Sequence, residues 1–191
     1  FNVVLFGVAG CGKTSVLNMT AEHDLQTTTN KVDQVPFSFS SHDISPRTSD
    51  QKVINLRIWD TEGLNEGNTR SDSSRQTQKN MEKLVEDVNK NGGLHLLVLC
   101  IRASRITDIE ARNYAKFKHD VCQDKVNIVV VVTGLESEEL GVDQWWGENE
   151  KYFDRYGMKF HGHACIVATM GKMVNGVHKY KKEYEASRTR V

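Results

Sequence analysis

The sequence predicts a three-layer α/β fold built on a doubly wound, mostly parallel sheet. Short, β-rich apolar runs alternate along the 191-residue chain with stretches of helical spacing, and loops at the ends of the runs carry glycine. The runs at 94–101 and 126–132 are almost continuously apolar, the pattern of parallel strands buried on both faces.

Taken in order, residues 1–6 form a buried first strand ending in glycine, and a helix starts near Lys13 with Val16, Leu17 and Met19 turned inward. Residues 23–52 are polar, hold both prolines, Pro36 and Pro46, and predict a long connection with one edge strand near 35–39. A second apolar segment runs through Val53, Ile54, Leu56, Ile58 and Trp59 to Asp60. Helical spacing returns over 75–90 through Met81, Leu84, Val85 and Val88, then over 108–121. A Trp-rich helix at 143–155, a last strand at 164–168 and a basic helix from about 177 complete the pattern.

The length suits one domain, expected to span 1–191. Lys and Arg number 25, as do Asp and Glu, so the balance points to neither nucleic acid nor an acidic membrane surface. No apolar run reaches the roughly 20 residues that span a bilayer. Cys11, Cys100, Cys122 and Cys165 are widely spaced, with no CxxC, and read as reduced thiols in a cytoplasmic setting. The chain opens with Phe1 inside a strand, and an excised domain lacking its natural flanks is expected.

Residues 7–14 read GVAGCGKT and match GxxxxGK[ST] between a strand and a helix, the context the motif requires. Gly7, Ala9, Gly10, Cys11 and Gly12 would offer backbone to a β-phosphate, with Ser15 on the following turn. Lys13 would reach the β/γ oxygens, and the Thr14 hydroxyl would ligate Mg²⁺. Residues 60–63, DTEG, match DxxG: Asp60 would hold Mg²⁺ through a water and the Gly63 amide would sense a γ-phosphate. Residues 133–136, TGLE, follow the strongest strand. The Glu136 carboxylate suits the N1–H and 2-amino donors of guanine and opposes the N1 acceptor of adenine, with Thr133 and Gly134 beside it. Thr169, after the last strand, is the candidate for the loop nearest guanine O6.

These segments, in this order, resemble the translation-factor-related P-loop GTPases, and within them the septin-like and immune-associated (GIMAP-like) branch. The phrases VVTGLE, DQWWGENE and YGMKFHGHACI are similar to a group of fungal G-domain proteins. The resemblance implies one G domain that binds GTP or GDP with Mg²⁺ and hydrolyses GTP. It also implies that G domains pair as a homodimer across their nucleotide faces.

Three departures from the family's pattern bear on the site. Leu64 stands where Ras-like members carry a water-orienting glutamine, so slow intrinsic hydrolysis is expected. In the first switch, Thr27, Thr28, Thr29, Ser38 and Ser40 all compete for the position that closes on Mg²⁺. Gly134 and Glu136 also replace the Lys and Asp of the family's [NT]KxD. Arg70 and Arg75 are candidates for completing a partner's site in trans. Two rival readings stay open: a module that holds nucleotide for assembly without useful turnover, and an ATP-binding P-loop protein.

His161, His163 and His178 lack metal-ligand spacing and read as surface or strand-edge residues. Trp145 and Trp146 read as a core-facing pair, and Lys179, Lys181, Lys182, Arg188 and Arg190 as a solvated face. Cys11 lies at a helix N-terminus beside Lys13, where a thiol can be acidified, but it occupies a variable loop position and reads as incidental.

Overall fold

The structure is a computed structural model that describes residues 1–21, 25, 37–48, 50–62, 71–138 and 141–191, with residues 71–74 described as backbone alone. Strands β1 (Asn2–Phe6), β2 (Ser38–Ile44), β3 (Leu56–Glu62), β4 (Leu96–Arg102), β5 (Asn127–Thr133) and β6 (Gly162–Cys165) make one sheet in the order β2-β3-β1-β4-β5-β6. All neighbours run parallel except the edge pair β2 and β3. The predicted α/β class and mostly parallel sheet are therefore found.

Among the described residues, five α-helices cover the sheet: α1 (Lys13–Ala21), α2 (Ser71–Lys90), α3 (Asp108–Lys116), α4 (Val142–Arg155) and α5 (Lys181–Arg188). The layers follow from the two-residue period of a strand. In β1, Val4 and Phe6 join a core with Met81, Leu84 and Val88 of α2, Tyr114 of α3 and Trp146 and Phe153 of α4. Val3 and Leu5 face the other way, onto Val16, Leu17 and Met19 of α1, with Tyr184 of α5 at the margin. The same alternation splits β5, with Ile128, Val130 and Val132 on one side and Val129 and Val131 on the other. Burying each such side chain stabilises by about 1.5–3 kcal/mol, and a run apolar on both faces collects this twice.

Strand β1 is also the switch point. The chain leaves it through α1 toward β2 and β3 on one side, then crosses back through α2 to β4 on the other. Ligands of open α/β sheets bind in the crevice that such a reversal leaves at the strands' C-terminal ends.

Several boundaries differ from the sequence expectation. The edge strand is Ser38–Ile44, where a strand near 35–39 was expected; residues 26–36 lie outside the described residues. Val53 is exposed and forms an isolated bridge with Arg47, so β3 begins only at Leu56. The expected helix over 108–121 is α-helical only to Lys116, and a π-helical turn occupies Phe117–Val121. There Phe117 stacks on Phe6 at 4.3 Å, and its carbonyl accepts from Cys122 N–H at 3.1 Å.

The last strand of the main sheet is Gly162–Cys165, starting two residues earlier than expected, and Ile166 and Val167 continue buried beyond it. Residue 177 does not start the final helix. Strands β7 (Met173–Val174) and β8 (Val177–His178) pair antiparallel around Asn175 and Gly176, both at positive φ. Asn-Gly is the strongest two-residue hairpin signal, and here it outweighs the basic helical pattern that begins after it.

Candidate nucleotide site

The loop of residues 7–12 leaves the end of β1 at the switch point and delivers Lys13, Thr14 and Ser15 onto the first turn of α1. Gly7 is required by geometry as well as motif. At φ +149°, a Cβ there would stand 2.3 Å from the Cys100 carbonyl oxygen and 2.7 Å from Cys11 Sγ. Ala9 and Gly10 are exposed at the rim. The Lys13 side chain is buried, and its ammonium donates to the Gly7 carbonyl at 2.9 Å and the Val8 carbonyl at 3.0 Å. The positive charge is thus held in the cup of the loop, where a polyphosphate would meet it.

The Cys11 side chain belongs to the core. Its thiol is buried among the core side chains between α1 and the sheet, 3.9 Å from the Lys13 ammonium, and burial raises its pKa against that charge. Desolvation outweighs proximity to a cation, so the thiol is not acidified. All four cysteines are free and buried.

Asp60 lies in β3 opposite Leu5 of β1, within the ladder beside the loop. Its residue is 1% exposed, and neither carboxylate oxygen has a hydrogen-bond partner. Burial pushes its pKa to about 6 and the neighbouring Glu62 adds to the rise, while the Lys13 charge and the nearby Thr61 amide and Thr14 hydroxyl, which stand short of full hydrogen bonds, pull against it. A buried carboxylate without donors is costly unless a cation meets it. Asp60 and Thr14 therefore fit a hard divalent ion such as Mg²⁺, whose preferred ligands are carboxylate, hydroxyl and water oxygens. Among the described residues there is no group of three or more His, Cys, Asp or Glu side chains placed to hold a metal by themselves. That suits an ion whose remaining ligands are waters and phosphate oxygens.

The other end of the crevice forms where β5 and β6 finish. A cavity of about 280 Å³ is lined by Gly12, Ser15, Arg102, Thr133, Gly134, Glu136, Ser137, Ala168, Thr169 and Tyr180. Five sequence-predicted positions from two distant segments, Thr133, Gly134 and Glu136 with Gly12 and Ser15, thus meet there, and Thr169 joins them. The Thr133 hydroxyl donates to the Cys11 carbonyl at 2.7 Å, which ties the end of β5 to the phosphate loop. Its contribution is spacing between the two loops. Thr169 accepts from the Gly171 amide at 3.1 Å. Arg102 and Tyr180 were missed by sequence reasoning. For Arg102 the available signal was position, since it ends β4 directly opposite Thr133.

Other candidates fall elsewhere. Gly63, Leu64, Thr27, Thr28, Thr29 and Arg70 lie outside the described residues. Ser38 and Ser40 sit in the β2 ladder opposite Glu62 and Asp60, and the Ser40 hydroxyl engages His42 at 3.1 Å. Arg75 is exposed on α2. Trp146 is buried, stacked at 5.3 Å on Phe153 and at 4.2 Å on His163. His161 accepts from the Ile128 amide, and His178 meets the Gly171 carbonyl at 2.9 Å. Arg190, at the basic C-terminal end, forms a two-point ion pair with Asp143 of α4. No helix among the described residues is long and apolar enough to cross a membrane.

The family model described as "Ras of Complex, Roc, domain of DAPkinase" matches residues 2–134, more than two thirds of the chain, and takes in the phosphate loop and Asp60. The chain belongs to the Roc family. Roc membership makes it a Ras-like P-loop GTPase domain by descent and fold, while Glu136 and Thr169 lie beyond the matched stretch. No match to this Roc chain is found among the curated proteins.

Among solved structures, the Roc chain is similar to a dimerization-deficient mutant of Toc33 from Arabidopsis thaliana, with a TM-score of 0.56 and 14% identity over 98% of this chain and 82% of that one. It is also similar to Era from Aquifex aeolicus bound to GDP·AlF4⁻, with a TM-score of 0.59 and 9% identity over 100% of this chain and 56% of that one. At such identities these likenesses show the fold alone, and the chain spans little more than half of Era's length.

Proposed function

We propose that this domain is a guanine-nucleotide switch that binds GTP or GDP with Mg²⁺ and hydrolyses GTP slowly in the cytoplasm. One observation carries the reading. The loop after β1 holds a buried ammonium beside a buried carboxylate without a hydrogen-bond partner, and Gly12 and Ser15, at the end of that loop, share a cavity with the Glu136 residue. That distribution of charge suits a polyphosphate with its cation at one end and a base that donates two hydrogen bonds at the other. The cation, when bound, would neutralise phosphate charge. Lys13 would hold the β/γ oxygens, Thr14 and Asp60 the metal, and the Gly63 amide the γ-phosphate. Backbone from Gly7 to Gly12 and the first turn through Ser15 would wrap the phosphates; Thr133, Gly134, Glu136 and Thr169 would surround the base.

Leu64 supports slow turnover, because an apolar side chain cannot orient the attacking water. It equally supports the second reading, a domain that holds nucleotide as an assembly surface. Pairing across the nucleotide face is part of the proposal. It is supported by the resemblance of 131–136, 143–150 and 156–166 to fungal proteins of the septin- and GIMAP-like branch, and by the dimerization named for Toc33.

Competition against a fluorescent guanine nucleotide tests the base assignment. GTP and GDP are expected to displace it at lower concentrations than ATP does. Glu136→Ala should weaken guanine binding by roughly 10- to 100-fold, the worth of hydrogen bonds to a charged acceptor, while the chain stays folded. Displacement by ATP as readily as by GTP would remove Glu136 from base reading and with it the guanine assignment.

A further inference from the structure

We propose that Arg102 supplies the cationic side chain that lies over the face of the bound purine, at the place Gly134 leaves bare. The inference rests on the nucleotide reading above. Arg102 ends β4, in register with Thr133 of β5, so its side chain starts one strand away from the TGLE loop. From there it crosses Gly134: a Cβ on Gly134 would stand 2.8 Å from Arg102 Cγ, 3.2 Å from Nε and 3.4 Å from Cζ. Beyond Gly134 it lines the same cavity as Gly12, Ser15 and Glu136.

Gly134 therefore does more than lack a side chain. Its φ of +78° disfavours any L-residue, and the room a side chain would need is filled by Arg102. A cation arriving from β4 and a glycine in the loop are two halves of one arrangement. Arg102 is exposed, so it is not a core-packing residue. Its guanidinium is planar, weakly hydrated and always charged, and it stacks on aromatic faces better than an ammonium does. With Glu136 taking the base by its edge, Arg102 takes it by its face, and the two opposite charges flank the same crevice.

The contribution of face stacking separates cleanly from edge reading and phosphate binding. Titrations of fluorescent GDP into the parent, Arg102→Ala, Arg102→Lys and Glu136→Ala chains, with GDP, IDP, ADP and inorganic pyrophosphate as competitors, test it. Arg102→Ala should weaken GDP and IDP by the same factor, roughly 3- to 30-fold as expected for a cation over an aromatic face, and leave pyrophosphate unchanged. Arg102→Lys should recover part of the loss. Glu136→Ala should instead lower the preference for GDP over IDP. Matching urea midpoints for parent and Arg102→Ala confirm that the fold is intact.

GDP affinity unchanged in Arg102→Ala overturns the inference. So does an equal loss for pyrophosphate, which would put the guanidinium on the phosphates. A parent that binds GDP and ADP alike defeats the guanine reading instead. Arg102 then stands if both purine nucleotides weaken together in Arg102→Ala and falls if neither does.

Discussion

At Asp60 the chain accepts a cost that only a ligand removes. The carboxyl titrates near pH 6, well above the ordinary 3.8, because burial disfavours its charge. A raised carboxyl pKa means that, between these two values, the folded state keeps a proton that the unfolded state has released. Stability therefore falls as pH rises through that window, and the loss is complete above about 6. The full loss is of order 3 kcal/mol by linkage. Thermal unfolding of the nucleotide-free chain should show a lower midpoint at pH 7.5 than at pH 5. In Asp60→Asn that difference should shrink, and Mg²⁺ with GDP should restore the parent's midpoint at pH 7.5. A midpoint in the parent that rises from pH 5 to 7.5 by the same amount as in Asp60→Asn would contradict the assignment of the buried charge.

Among elements, the contact that matters is between the end of β5 and the phosphate loop. Both strands deliver their loops to the same crevice, and the Thr133 hydroxyl joins them through the Cys11 carbonyl. Thr133→Val keeps shape and volume but removes the donor, which should cost about 0.5–1.5 kcal/mol in urea unfolding. The looser spacing should weaken GDP and ATP by similar factors, leaving their ratio unchanged. A changed ratio would show that Thr133 reads the base itself.

For the molecule as a whole, the proposed pairing across the nucleotide face predicts that turnover depends on a second copy. Phosphoryl transfer needs an oriented water and positive charge on the developing phosphate, and a charge supplied in trans is worth about 10³–10⁵ in rate. Specific activity should rise with protein concentration in Mg²⁺ and GTP. Sedimentation should reveal a larger species with a transition-state mimic than with GDP. Arg75→Ala, on the exposed side of α2, should blunt the rise if that residue enters the partner's site. A flat specific activity from nanomolar to high-micromolar protein, with one species throughout, would favour the assembly-module reading.

The sequence by itself determined the class of fold, the central strands and the phosphate loop, because these depend on local order. Period-two burial splits 1–6 and 126–132 onto two cores, and GxxxxGK[ST] needs only neighbours in the chain. It also holds a local signal in the Asn175-Gly176 turn, which makes 173–178 a hairpin. Only the tertiary structure could decide that Cys11 points into the core, that Asp60 is stripped of partners, and that Arg102 fills the room above Gly134. Each of these is a fact of desolvation or close approach between segments far apart in the chain. Such facts arise when strands are laid side by side, and no spacing along the sequence encodes them.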